Sequence, residues 1–223
     1  MNQEQALSLL KETKLVAILR GIPVKQATDI ATALYDGGVR VLEFTFDHGD
    51  PDCVAHNCQR IRAVKKIFGD EMVVGCGTAL TVQEVEASVE AGGQIVISPN
   101  VDVSVIAKTK ALGAISMPGA LTPTEIVMAY NAGADIVKLF PAGTLGVPYI
   151  KAVRGPLGYI PMSAVGGVRP ETIADFLNVG VCGFGVGGEL VKKEFVRSGD
   201  MNALTSRARK FVHAIEQWEA NRS

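Results

Sequence analysis

Two ionisable residues interrupt apolar stretches of the sequence in a way that could support chemistry. Lys138 lies within the run Asp135–Phe140, and Glu43 lies within the run Val39–Phe46. If both runs are buried strands, burial lowers the pKa of the lysine and raises that of the glutamate, while each charge opposes the shift of its partner. A lysine that is often neutral can attack a ketone, and the resulting iminium withdraws electrons from a nearby carbon–carbon bond. The pair therefore indicates a Schiff-base lysine assisted by a glutamate that moves protons.

The faces of the two strands decide whether these side chains can meet. Alternation along a strand puts Leu42 and Phe44 on one face and Glu43 on the other. The bulky face is expected to meet helices, so Glu43 is predicted to point inward. Lys138 is predicted to be buried on either face, because both faces of such a strand are covered. A structural ion pair between Lys138 and Glu43 is the alternative interpretation, since structural pairs also perturb pKa values.

Eight short apolar runs alternate with helical patterns along the chain. They are nearly continuous in apolar residues, as parallel strands are when both faces of the sheet are covered. The runs are Leu15–Leu19, Val39–Phe46, Met72–Cys76, Gln94–Ser98, Ala114–Met117, Asp135–Phe140, Tyr159–Val165 and Val181–Val186. Eight such units predict an α/β fold, a closed (β/α)₈ TIM barrel with an N-terminal lead-in helix, as a single domain over residues 1–223.

Glycines and capping residues mark the predicted helix ends. Glycine after a helix can take the left-handed conformation that ends it, and such glycines occur at Gly37-Gly38, Gly92-Gly93, Gly113, Gly133 and Gly180. Thr122 and Glu125 form a predicted capping box with Pro123 at the first helical position. Asp50 followed by Pro51 is likewise predicted to begin a helix.

Polar residues cluster where the predicted strands end, and barrel active sites lie at the C-terminal ends of the strands. The polar residues there are Arg20, Glu43, Thr45, Thr78, Ser98 and Lys138. Glycine pairs, Gly166-Gly167 and Gly187-Gly188, follow the last two runs. Their backbone N–H groups could hold a phosphate, and tight turns with helix caps are the alternative.

Composition narrows the range of partners. Lys and Arg total 22 against 23 Asp and Glu, so the net charge of -1 disfavours nucleic acid. No apolar run reaches membrane-spanning length, and the first residues do not resemble a secretion signal, so the predicted location is cytoplasmic. Potential metal ligands lie between Asp47 and Cys58, but their spacing matches no zinc motif, and no metal or cofactor is predicted.

The segments that carry these residues resemble one known family. Ile136–Ala142 resembles the Schiff-base strand of the 2-keto-3-deoxy-6-phosphogluconate (KDPG) / 4-hydroxy-2-oxoglutarate aldolase family. The similarity covers nearly the whole chain. Further matching segments follow in the family's order: Val16–Gly21, Leu42–Thr45, Val74–Thr78, Ile97–Asn100, Met117–Gly119 and Val165–Val168.

The resemblance implies a role for each matching residue. Lys138 would be the Schiff-base lysine and Glu43 the general acid and base. Thr78 and the Gly77 backbone would hold a carboxylate, with Arg20 and Thr45 near the substrate, and Pro99 and Phe140 would shape the pyruvyl pocket. The four glycines Gly166, Gly167, Gly187 and Gly188 would form the phosphate end. The family needs no cofactor, acts on small phosphorylated sugar acids and is commonly a homotrimer.

Three positions depart from the family pattern. Asp47 stands where some members carry a carboxylate-binding arginine, and Gly188 stands where many carry a phosphate-binding serine. Val165 resembles members that act on the galactonate form of the substrate (KDPGal). The configuration accepted at C4 is therefore left open by the sequence.

Two other classes of protein remain as alternatives. A phosphate-binding barrel isomerase or epimerase would use Glu43 as a base without a covalent intermediate. A non-catalytic ligand-binding barrel could keep the glycine turns but would not need Lys138 opposite Glu43.

Overall fold

Parallel strands form the centre of the molecule. The computed structural model describes residues 1–222. Its strands are β1 (Leu15–Leu19), β2 (Val41–Thr45), β3 (Val73–Gly77), β4 (Ile95–Ile97), β5 (Ile115–Met117), β6 (Gly119–Ala120), β7 (Val137–Leu139), β8 (Met162–Val165) and β9 (Gly183–Val186). They are hydrogen-bonded in the order β5-β4-β3-β2-β1-β9-β8-β7-β6, and all pairs are parallel.

The two ends of this sheet are consecutive in the chain, which nearly closes the barrel. Only Pro118 separates β5 from β6. Proline has no N–H for a strand ladder, so the strand predicted as Ala114–Met117 ends before Pro118 and a further short strand, β6, follows it. The Pro118 carbonyl still accepts a hydrogen bond from the Lys138 N–H at 2.9 Å. The predicted TIM barrel is confirmed, with nine strand segments in place of eight runs.

Helices cover the outside of the barrel. They are α1 (Gln3–Thr13), α2 (Ala27–Asp36), α3 (Cys53–Phe68), α4 (Val82–Glu90), α5 (Val103–Ala111), α6 (Pro123–Asn131), α7 (Ala142–Leu157), α8 (Ile173–Asn178), α9 (Lys193–Ser198) and α10 (Met201–Ala220). None of the helices within residues 1–222 combines the length and apolar character needed to cross a membrane.

The predicted helix ends are confirmed with one correction. Thr122 and Glu125 form the capping box of α6, and the glycines that end the predicted helices include five with positive φ: Gly38, Gly92, Gly113, Gly133 and Gly180. The prediction that a helix begins at Asp50-Pro51 is wrong, because α3 begins at Cys53. The Asp50 carboxylate instead accepts the Asp52 N–H at 2.9 Å and so organises a turn before the helix.

Two apolar cores lie on opposite sides of the strands. Leu42 and Phe44 belong to the larger core between the barrel and its helices, whereas Val41 belongs to a smaller core inside the barrel. Ala6 and Leu10 of α1 are buried in the inner core, and α1 contacts β3, β5 and β9. Apolar side chains therefore fill the lower interior, while the opposite, C-terminal end carries the polar groups.

Candidate active site

A cavity of about 500 Å³ opens at the C-terminal end of the barrel. Its walls bring together most of the residues that the sequence singles out. These are Arg20, Glu43, Thr78, Pro99, Lys138, Phe140, Gly166, Gly167, Gly187 and Gly188. The volume is typical of a small-molecule site.

Lys138 reaches this cavity from the middle of β7. It pairs with Gly119 on one side and Ser163 on the other. Only 8% of its surface is exposed, and its Nζ lies 5.0 Å from the centroid of the Phe140 ring. Burial lowers the pKa of Lys138, and the nearby Arg20 charge lowers it further against the opposing effect of Glu43. Lys138 is therefore neutral more often than an exposed lysine and better able to attack a carbonyl carbon.

Glu43 faces the same cavity from β2, and the prediction that it points inward is confirmed. Glu43 is 2% exposed, and burial raises its pKa from 4.5 to about 7 against the opposing effects of Lys138, Thr45 and Arg20. Thr45 Oγ1 donates a hydrogen bond to Glu43 Oε2 at 3.1 Å. A carboxyl group with this pKa exists in both protonation states near neutral pH, as an acid–base catalyst requires.

Thr45 and Gly77 act beside Glu43 instead of on the cavity wall. Thr45 lies opposite Gly77 in the β2–β3 ladder. A side chain at Gly77 would overlap the Glu43 carboxylate, so glycine at this position leaves room for the carboxylate. The predicted direct substrate contacts of Thr45 and the Gly77 backbone stay predictions.

Thr78 follows β3 in an unusual backbone conformation. Its φ is 57°, in the left-handed region where a β-branched residue is strained. Such strain persists where the surrounding structure holds the residue, and it is concentrated at functional sites. The strain and the position on the cavity wall support a binding role for Thr78.

The glycine turns form the other end of the cavity, and one charged residue there was missed from the sequence. Gly166 and Gly167 have φ of 90° and 72°, which disfavours any side chain at either position. Glu189 lines the same wall. Its carboxylate lies 3.4 Å from Arg169 Nε and 3.5 Å from an Arg207 nitrogen. Its position directly after the predicted phosphate-binding Gly188 is the feature of the sequence that could have placed it at this site.

The two histidines near β2 are held apart by separate carboxylates. His48 Nε2 lies 2.7 Å from Glu84 Oε1, and His56 Nδ1 lies 2.7 Å from Asp50 Oδ2. Over residues 1–222 no group of three or more His, Cys, Asp or Glu side chains has a metal-binding arrangement. These pairs fix the loop and the start of α4, since Glu84 also accepts the Thr81 N–H at 3.0 Å.

Comparison with known proteins identifies the family. The profile described as KDPG and KHG aldolase matches residues 7–207 of the chain. The chain belongs to this family. The resemblance predicted from its sequence segments is confirmed, and its fellow members are carbon–carbon lyases.

Individual members of the KDPG and KHG aldolase family extend the comparison. A probable 2-dehydro-3-deoxy-6-phosphogalactonate aldolase from Rhizobium meliloti (strain 1021) is 37% identical over 81% of this chain and 83% of its own length. The KHG/KDPG aldolase of Escherichia coli (strain K12) is 32% identical over 95% of this chain and 96% of its own. A solved structure described as native KDPGal superposes with a TM-score of 0.83 at 32% identity, covering 92% of this chain and 96% of the other.

Proposed function

We propose that this member of the aldolase family cleaves a 2-keto-3-deoxy-6-phospho sugar acid to pyruvate and glyceraldehyde 3-phosphate through a Schiff base on Lys138. The observation that carries the proposal is that Lys138 and Glu43 line one cavity. The pKa of Glu43 is raised and that of Lys138 is lowered, and each shift favours the neutral form of its group. The same chemistry would cleave 4-hydroxy-2-oxoglutarate to pyruvate and glyoxylate.

The steps follow from the two side chains. Neutral Lys138 Nζ attacks the C2 ketone, and the carbinolamine loses water to give an iminium. Ionised Glu43 then accepts the proton of the C4 hydroxyl as the C3–C4 bond breaks, and the bonding electrons move into the iminium to form an enamine. The aldehyde leaves, protonation at C3 restores the iminium, and water releases pyruvate and free Lys138. No electrons are gained or lost overall.

The rest of the cavity would hold the two anionic ends of the substrate. Arg20 and Thr78 would bind the carboxylate, while Pro99 and Phe140 would enclose the pyruvyl carbons. The glycines at the end of β8 and β9 would bind the phosphate through the backbone, since Gly188 supplies no hydroxyl. Arg169 pairs with the Glu189 carboxylate on the wall, so these two charges offset each other at that end.

Val165 favours the galactonate form of the substrate. It lines the cavity, and the aldolase from Rhizobium meliloti that is 37% identical carries the galactonate name. Comparison of the two phosphorylated epimers in a coupled pyruvate-release assay would decide this point. We also propose that the chain works as a cytoplasmic homotrimer, in line with its family resemblance, which sedimentation analysis of the purified protein would test.

Trapping with borohydride in the presence of pyruvate tests the central step. The wild-type chain should gain a reduced pyruvyl adduct on Lys138, located by peptide mass spectrometry. Lys138→Ala should form none and should lose several orders of magnitude in turnover while remaining folded, because the covalent route disappears. Lys151→Ala, which removes an exposed lysine of α7, is the matched control and should trap normally.

The same experiment separates the two alternative classes of protein. An isomerase or epimerase would convert its substrate without an adduct on Lys138. A non-catalytic barrel would show no turnover with any 2-keto-3-deoxy sugar acid. Cleavage by Lys138→Ala within about tenfold of wild type would contradict the Schiff-base mechanism, since that loss is only about 1.4 kcal/mol.

A further inference from the structure

A second cavity lies beside the active site and shares a wall with it. Its volume is about 620 Å³, within the usual range of small-molecule sites. It lies between the segment after β1 and the segment around α9, and Arg20 lines both this cavity and the active site. We call it the Arg20 side cavity.

The Arg20 side cavity has an excess of positive charge. Four cationic residues line it, Arg20, Lys25, Lys193 and Arg197, against the single carboxylate of Asp47. In residues 1–222, none of the four forms an ion pair with a carboxylate. Cations that converge on a concave surface without ion pairs raise the local concentration of anions.

The walls of the cavity combine apolar residues with a hydrogen bond between its two sides. Ile22 and Val191 are 3% and 7% exposed and form an apolar base. Gln26 Nε2 donates a hydrogen bond to the Val196 carbonyl at 3.3 Å, which ties the start of α2 to α9 across the cavity. An apolar base with charged groups around it suits a small organic anion, because the carbon skeleton packs while the oxyanions pair.

We infer that the Arg20 side cavity is a binding site for a small organic dianion, separate from the aldol substrate. The shared chemistry is two oxyanion charges on a short carbon skeleton, which either a phosphate monoester or a dicarboxylate provides. Its occupant lies beside Arg20 and therefore competes with the substrate carboxylate for that guanidinium. By thermodynamic linkage, the substrate and the dianion weaken each other's binding.

Methyl NMR of the full chain locates such binding directly. Glycerol 3-phosphate and succinate are the two probes, titrated separately. The methyl groups of Ile22, Val191 and Val196 report on the side cavity, whereas those of Val165 and Val168 report on the active site. At least one probe should shift the methyl resonances of the first set. The probe that does so shows whether the site binds a phosphate monoester or a dicarboxylate. If neither probe shifts the first set, the inference is overturned.

A pair of double variants that each remove two positive charges tests whether the cavity itself binds the probe. Lys193→Gln with Arg197→Gln removes two exposed cations of the cavity, while Lys66→Gln with Lys210→Gln removes two exposed cations elsewhere. The cavity variant should bind whichever probe the wild-type cavity binds at least about tenfold more weakly, because two charge-assisted contacts are lost. The control should bind as wild type does. Equal weakening in both variants would mean attraction by net charge alone and would overturn the site.

Discussion

Lys138 and Glu43 carry charges where burial penalises the ionised form of each. Glu43 is 2% exposed and Lys138 is 8% exposed, so neither side chain keeps a full hydration shell. Burial moves the two pKa values toward each other, one raised to about 7 and the other lowered. The consequence is a lysine that is neutral more often than an exposed one, beside a carboxyl group that exchanges protons near neutral pH.

Replacement of Glu43 by glutamine should separate proton transfer from binding. Glutamine has nearly the same shape but cannot accept a proton, so turnover should fall by about 10²–10⁴-fold. Borohydride should still trap pyruvate on Lys138, though more slowly, because loss of water from the carbinolamine also needs a proton. The wild-type pH profile should have two limbs that belong to the coupled pair, and the variant should lose one. An unchanged rate and profile in a coupled assay would make Glu43 only a partner for the lysine charge.

The same substitution should change how stability depends on pH. The folded-state pKa of Glu43 is raised, so its contribution to stability is fully present below 4.5 and is lost as pH rises to about 7. Wild type should therefore lose roughly 3 kcal/mol relative to Glu43→Gln between those pH values, at 1.36 kcal/mol per pKa unit. Urea unfolding at pH 4 and pH 8 measures this difference. A difference between Glu43→Gln and wild type that stays constant with pH would argue against burial of an ionised carboxylate.

Strand register places the catalytic carboxylate. The β2–β3 ladder sets Thr45 opposite Gly77 and Glu43 opposite Gly75. Glu43 points up the barrel toward the end of β3, where Thr45 donates a hydrogen bond to it and Gly77 leaves it space. Two neighbouring strands therefore fix one side chain, which is more precise than support from a loop.

Gly77→Ala should move the Glu43 carboxylate without unfolding the barrel. The three atoms nearest to the added methyl group all belong to the end of that side chain, which can rotate away. A misplacement of a catalytic group by about 1 Å can lower turnover by about 10²-fold. Gly155→Ala is the control, because an added methyl group at Gly155 in α7 meets open space. Assay of pyruvate release together with circular dichroism would test this, and normal turnover by a folded Gly77→Ala would show that the carboxylate does not need its present position.

The N-terminal end of the barrel contributes to stability, and the C-terminal end carries the candidate active site. At the N-terminal end, α1 covers the opening and buries Ala6 and Leu10 against the inner core. At the C-terminal end the cavity opens between the strand ends. Stability and chemistry are therefore separated along the barrel axis, as is general for this fold.

Leu10→Ala should weaken the fold while leaving the chemistry intact. Leu10 is 4% exposed, so its truncation removes buried apolar surface and leaves a cavity, at a cost of about 2–5 kcal/mol in the free energy of unfolding. Leu112→Ala, at a position that is 41% exposed, should cost less than about 0.5 kcal/mol. Chemical denaturation measures both values. Loss of pyruvate trapping on Lys138 by folded Leu10→Ala would contradict the separation of the two ends.

The sequence by itself determined the elements and the direction of the key side chains. Runs of apolar residues, glycines after helices and the Thr122 capping box depend on local chemistry, which each short segment carries alone. Alternation along β2 was enough to point Glu43 inward, because the bulky Leu42 and Phe44 belong outside. The matching segments and their order also led to the family.

Only the tertiary structure decided what lies against those side chains. The room that Gly77 leaves for Glu43 depends on strand register, and the left-handed φ of Thr78 depends on the packing that holds it. Arg207 of α10 reaches Glu189 because α10 packs against α2, α8 and α9, which places it beside the segment that follows β9. The Arg20 side cavity likewise combines residues 20–26 with residues 191–197. Such contacts depend on distances between remote segments, and those distances are set when the barrel closes, not by any local pattern.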